Sequence, residues 1–171
     1  ANKNWAILFA SGSIYALVVG TDTGAGNYYN NFLWEFRPEQ TALFAIFGAA
    51  SVIVVSIAAP ALSVGRSKKR IALGVFMCAV VVGPLPIFLR LIDPYFSLSL
   101  FPANGSTSLW WILLVHFCAS QALAALGFVY VASMSMEIVE QVQEKTGRRE
   151  EGLLGTANSM MQKLIAAGGT L

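Results

Sequence analysis

From Gln40 to Gly65 the chain runs for 26 residues without a charged side chain. As an α-helix that run is about 39 Å long, more than the ~30 Å hydrocarbon thickness of a bilayer. A soluble helix of that length needs a polar face recurring at helical period, and none is present. The rest of the chain repeats the pattern: 56% of its 171 residues are hydrophobic and only 12% are charged. Soluble domains carry about a quarter charged residues, so a soluble α/β core is excluded in favour of a membrane protein. The net charge of +2 is too small to argue for a nucleic-acid partner. Cys78 and Cys118 sit inside apolar runs and read as small packing residues.

Five spanning helices account for the order of apolar and polar stretches. The first covers about 5–33, with an apolar first half and a polar, glycine-rich second half from Thr21 to Asn31. Trp34–Glu35–Phe36–Arg37–Pro38–Glu39 reads as an interfacial turn, with Pro38 suited to open the next helix. The second covers about 39–63, ending before the basic loop Arg66–Ser67–Lys68–Lys69–Arg70. The third covers about 71–91, with Pro84 and Pro86 predicting a kink near its end. Asp93–Pro94 and Asn104–Gly105 give turn chemistry to a loop between Asp93 and Ser108. The fourth covers about 109–136, opened by the interfacial pair Trp110–Trp111, and the fifth about 153–171. No secretory signal is evident. The chain opens without Met and closes in an apolar stretch, so a longer parent protein is expected.

Positive charge sorts by side. The N-terminus and the loops 65–70 and 137–152 fall on one face, with Lys3, Arg66, Lys68, Lys69, Arg70, Lys145, Arg148 and Arg149. The opposite loops hold Arg37 and Arg90. The positive-inside rule puts the first face in the cytoplasm and the protein, as a multi-pass chain, in the cell (inner or plasma) membrane.

Polar residues inside the spans are the candidates for function. Ser11, Tyr15, Asp22 and Tyr29 follow steps of 4, 7 and 7, one face of the first helix. In lipid such a face must meet protein or a water-filled cavity. Asp22 is either a solute-pathway or ion-pair carboxylate, or a wetted residue at the outer interface. Asp22–Thr23–Gly24 also spells the short motif of aspartic proteases, but that chemistry needs two carboxylates sharing a proton, and a second copy is absent. Gly20 and Gly24 form a small-residue pair suited to helix packing. In the fourth helix His116 reads as a residue hydrogen-bonded to a neighbouring helix, with proton relay or sugar ligand as alternatives. Gln121, nearer mid-depth, suits either a hydroxylated solute or interhelical bonding. No Cys/His/Asp/Glu cluster has metal-ligand spacing, and no nucleophile–base pair is visible.

Between Glu137 and Gly152 charge is dense: Glu137, Glu140, Glu144, Lys145, Arg148, Arg149, Glu150 and Glu151. The apolar run that follows carries a single charge, Lys163. At 1.5 Å per residue it lies roughly 15 Å beyond the charged segment, near mid-bilayer. A lysine reaches the interface by snorkelling only from near a helix end, so Lys163 is expected to face a cavity or a carboxylate.

The stretch from Glu137 to Lys163 resembles the signature region of the glycoside–pentoside–hexuronide:cation symporters, a branch of the major facilitator superfamily. That signature is an acid, two residues, a second acid, then Thr-Gly-Arg/Lys-Arg-x-Glu-Gly and a lysine in the next helix. Here it is Glu137, Glu140, Thr146–Gly147–Arg148–Arg149–Glu150–Glu151–Gly152 and Lys163. Both leading acids are Glu, where the family often has Asp. Phe32–Leu33–Trp34–Glu35, Pro38–Glu39–Gln40 and Gly83–Pro84–Leu85–Pro86 resemble the same family. Lys68–Lys69–Arg70 keeps the superfamily's basic inter-helix motif, which departs at Val64 and Gly65, where an Asp and an Arg would be expected.

The resemblance implies an all-α polytopic bundle, helices seven to eleven of twelve, completed by an N-terminal six-helix half. It implies a secondary active transporter, not an enzyme, that carries a sugar or glycoside-like solute with H⁺ or Na⁺ by alternating access and uses no cofactor beyond that cation. Lys163 would couple to cation-binding carboxylates held mainly in the other half. Tyr15, Asp22, Tyr29 and Gln121 are the solute-pathway candidates. Glu137, Glu140, Arg148, Arg149 and Glu151 would form a cytoplasmic charge network. The alternatives are a carrier of the same superfamily for a non-sugar or lysolipid-like solute, and an accessory membrane protein without transport.

Overall fold

The computed structural model describes residues 3–96 and 101–147 and, beyond them, positions 156, 159, 160, 163 and 167. Every regular element among the described residues is helical. Helix α1 spans Lys3–Tyr28 and passes into a π-helical turn, Tyr29–Leu33. Helices α2 (Pro38–Ser63), α3 (Lys68–Val82), α4 (Leu85–Phe96) and α5 (Thr107–Thr146) follow. Positions 156, 159, 160, 163 and 167 are helical. Three described stretches are long and apolar enough to cross a membrane: Pro38–Ser63, Lys68–Tyr95 and Thr107–Gln141. The chain is an all-helical membrane protein.

The helix boundaries have local causes. Pro38 opens α2, where its missing N–H is no loss, and the Arg37 N–H donates to Gln40 Oε1 at 3.0 Å. Gly65, at φ +69°, turns the chain after α2. Ser106 caps α5: its Oγ accepts the Leu109 N–H at 3.3 Å. Gly105, at φ +81°, supplies the turn before it. Hydroxyls inside the apolar helices fold back on their own backbones. Ser51 Oγ donates to the Gly48 carbonyl at 2.7 Å and Ser63 Oγ to the Pro60 carbonyl at 2.8 Å. This keeps polar atoms satisfied where no water reaches.

Two boundaries differ from those expected. The fourth predicted helix does not stop at Met136. As α5 it continues to Thr146, so Glu137, Glu140 and Glu144 are helical and not in a loop. Glu, Gln and Val carry no stop signal; the stop is Gly147, at φ +67°, whose N–H donates to the Gln143 carbonyl at 2.8 Å. The third predicted helix is two helices, α3 and α4, meeting at Gly83–Pro84. The second runs through Asp93–Pro94, where a turn was expected. Prolines persist in membrane helices where neighbouring groups take over the freed backbone bonds.

The chain divides into two compact units: residues 34–132, and residues 1–33 with 133–171. In the unit 34–132 the core is built on α5. Leu109, Leu113, Leu114, Leu126 and Tyr130 are buried there, with Phe44 and Ala59 of α2 and Ala72 of α3. Aromatic rings bind α2 to α5: Phe44 stands 5.5 Å from Phe36, 5.9 Å from Trp110 and 5.5 Å from Phe117. Outward-facing residues are as apolar as the core: Ile57 is 76% exposed, Val64 78% and Val80 70%. In water that surface would drive aggregation; in lipid it is the solvated face.

Candidate functional site

In the unit formed by 1–33 and 133–171 the polar stripe of α1 is built as follows. Ser11 Oγ donates to the Ile7 carbonyl at 2.7 Å, and Thr21 Oγ1 donates to the Leu17 carbonyl at 3.0 Å. Asp22 lies one residue further on, helical and exposed. Tyr15 is in α1; its side chain lies outside what the structure describes. Tyr29, half-buried, opens the π turn. A π turn adds a residue to one helical turn and so re-aims the side chains that follow, a frequent feature of functional segments. Tyr28 stacks on Phe32 across that turn at 6.1 Å. Gly20 is buried and Gly24 half-buried, which marks a packed side of α1.

The same unit contains Glu137, Glu140 and Lys163, far from α1 in sequence. Glu137 and Glu140 are exposed and three residues apart on α5, hence neighbours on its surface. Lys163 is helical and exposed. Arg148, Arg149 and Glu151 lie outside the described residues. The structure thus brings Tyr15, Asp22, Tyr29, Glu137, Glu140 and Lys163 into one unit, while Gln121 belongs to the other.

In the unit 34–132 the polar groups line α5. Gln121 is half-buried. The neighbouring Ser120 hydroxyl is buried and has no hydrogen-bond partner among the described residues, as has the Trp110 indole N–H. His116 Nε2 lies 2.7 Å from the Val82 carbonyl, and Tyr130 Oη donates to the Ala59 carbonyl at 2.8 Å. A carbonyl can only accept, so Nε2 of His116 carries the proton.

One cluster has no counterpart in the sequence reading. Arg90 of α4 donates from Nη2 to Asn104 Oδ1 at 2.8 Å, and its guanidinium carbon sits 5.9 Å from the Trp34 ring centroid. Trp34 in turn packs on Phe101 at 5.8 Å. The turns at 34–37 and 101–106 are thereby joined through one cation. Beside them lies an open polar cavity of about 670 Å³ lined by Glu35, Arg37, Glu39, Gln40, Asn104 and Gly105. Glu35 holds φ +55° there, uncommon for a residue with a side chain. The sequence carries no local signal for this cluster, since Asn104 stands 14 residues from Arg90 and Trp34 lies farther still. No group of three His, Cys, Asp or Glu among the described residues could hold a metal ion.

Compared with known proteins, the profile of one family, described as MFS/sugar transport protein, matches residues 1–171, the whole of the chain. No curated protein and no solved structure matches.

Proposed function

The chain belongs to the MFS/sugar transport protein family of membrane transporters, and from that premise we propose that it forms part of a cation-coupled sugar carrier. In this reading it contributes helices seven to eleven of a twelve-helix protein. The solute is a sugar or glycoside-like molecule, moved with H⁺ or Na⁺ as two bundles rock about a midplane site. The observation that carries the finer reading is the run Glu137, Glu140, Thr146–Gly147–Arg148–Arg149–Glu150–Glu151–Gly152 and Lys163. It is supported by the membrane-length helices and by a family match that leaves no part of the chain outside it.

Lys163 is assigned the coupling role. A positive charge beside cation-binding carboxylates competes with the cation, so the carboxylates hold either the lysine or the cation. The family pattern places those carboxylates in the other half of the carrier. Tyr15, Asp22, Tyr29 and Gln121 supply hydroxyl, carboxylate and amide groups for the solute pathway. Glu137, Glu140, Arg148, Arg149 and Glu151 form a cytoplasmic charge network that sets the balance of inward- and outward-facing states. The N-terminus and the segments 65–70 and 137–152 face the cytoplasm in this topology.

The test is cation-driven accumulation of solute by the full-length protein carrying Lys163→Ala or Lys163→Arg. Coupled accumulation is expected to be lost in the alanine variant and altered in the arginine variant. Normal accumulation in both overturns the assignment. A thermal-shift screen of sugars, with Na⁺ or across pH, identifies the solute class. Stabilisation by lysolipids in place of sugars would move the protein to an amphiphile carrier.

A further inference from the structure

The junction of α3 and α4 leaves a backbone group without its ordinary partner. In an unbroken α-helix the Val82 carbonyl accepts the N–H of residue 86. Residue 86 is Pro86, which has none. Pro84 likewise has no N–H for the Val80 carbonyl, and the ladder is seen at the two ends of this stretch, where the Gly83 N–H donates to the Ala79 carbonyl at 2.8 Å and the Phe88 N–H to the Pro84 carbonyl at 2.9 Å. Gly83 itself stays in the right-handed helical region, so the chain bends here without unravelling. In an apolar layer a bare carbonyl is strongly unfavourable.

A donor arrives from another helix. His116 Nε2 of α5 lies 2.7 Å from the Val82 oxygen, although 34 residues separate them in sequence. The ring is delivered from a fixed position. Leu113 and Leu114, one turn earlier, are 5% and 3% exposed, and Phe117, the next residue, fills the space left by Gly48 of α2. Beyond the bend, α4 carries Arg90 to Asn104 and Trp34.

We infer that His116 is a positioning residue whose imidazole N–H replaces the backbone N–H that Pro86 lacks. It fixes the Gly83–Pro86 bend and thereby holds Arg90 against Trp34 and Asn104. The atomic coupling of His116 to Pro86 stands independently of transport. Its consequence, that the bend sets the placement of the turns at 34–37 and 101–106 during the transport cycle, rests on the carrier reading above.

The experiment compares five versions of the full-length protein in detergent: unmodified, His116→Leu, His116→Gln, Pro86→Ala, and Pro86→Ala with His116→Leu. Thermal midpoint and hydrogen exchange of the α4 amides are read for each. His116→Leu should lower the midpoint by about 2–4 °C and speed exchange in α4 several-fold while leaving α2 unchanged. His116→Gln, which keeps an N–H donor, should retain most of the stability. Pro86→Ala restores the backbone N–H, so in that background His116→Leu should lose less than half as much. If His116→Leu alone does not fold, recovery of folding in the double variant supports the coupling, and its failure overturns it. Equal losses in both backgrounds, or unchanged α4 exchange in His116→Leu, also overturn it. Altered transport with the stability coupling intact bears on the carrier reading alone.

Discussion

Gly48 is the position where α2 and α5 approach most closely at a glycine, and replacing it with alanine tests the packing of the unit 34–132. A Cβ there would stand 2.6 Å from Phe117 Cε1, 3.4 Å from Cδ1 and 3.6 Å from Cζ. Ordinary carbon contacts lie at about 3.5–4.0 Å, so the ring edge must retreat by about 1 Å. It is not free to do so, because Phe44 lies against it at 5.5 Å and is itself packed on Phe36 and Trp110. Overpacking of this kind costs roughly 1–3 kcal/mol, and the better helix propensity of alanine returns at most about 1 kcal/mol. With that return made in full, Gly48→Ala should lose up to about 2 kcal/mol, which is up to about 8 °C in thermal midpoint. Phe117→Leu removes the ring edge, so Gly48→Ala should be neutral or stabilising in that background, a non-additive pair. A raised midpoint in Gly48→Ala alone, or losses that simply add in the double variant, would refute the packing argument.

Tyr130 is 2% exposed, and Tyr130→Phe keeps its ring while deleting the hydrogen bond to the Ala59 carbonyl. The expected loss is about 0.5–1.5 kcal/mol in detergent melts, and a loss beyond that range would mean the hydroxyl has a second role. Arg90→Gln should lose both the Asn104 bond and the cation–π contact with Trp34. Combined with Trp34→Phe it should show a coupling of about 0.5–1 kcal/mol, and strict additivity would exclude the Arg90–Trp34 contact.

The helical class and the membrane setting were legible because they follow from composition and run length, as in the uncharged stretch from Gln40 to Gly65. The start of α2 at Pro38 and the turn at Asn104–Gly105 were legible for the same kind of reason, since both are local backbone chemistry. The end of α5 was misplaced because charge was taken as a sign of a loop. Glutamate is a good helix former, and only a residue suited to positive φ, Gly147, stops that helix. Arg90 with Asn104 and Trp34 escaped the sequence altogether, because the contact depends on how α4 is aimed after the bend. Tyr15, Asp22, Tyr29 and Lys163 stood out by type and spacing, and the structure adds that they share a unit with Glu137 and Glu140.

Two side chains of α5 in the unit 34–132 bond the backbones of neighbouring helices. His116 and Tyr130 stand 14 residues apart on α5, close to four helical turns, and so lie on nearly the same side of it. Both are bonded to backbone carbonyls of neighbouring helices. Val82 has lost its donor to Pro86, whereas residue 63, four past Ala59, is a serine with an N–H, so Tyr130 adds a donor to the Ala59 carbonyl and replaces none. In water such carbonyls would be solvated and the polar side chains on α5 could be exchanged for apolar ones. In lipid the Val82 carbonyl has no water to turn to, so Pro86 creates a demand at a defined height on α5. A lone histidine or tyrosine in an apolar helix therefore need not mark chemistry or a ligand. Ser120, one turn beyond His116, is different: its hydroxyl is buried and bonds none of the described residues. With Gln121 beside it, half-buried, that level of α5 is where polar groups are not already consumed by backbone repair. On the carrier reading, it is the part of the unit 34–132 best placed to meet a solute.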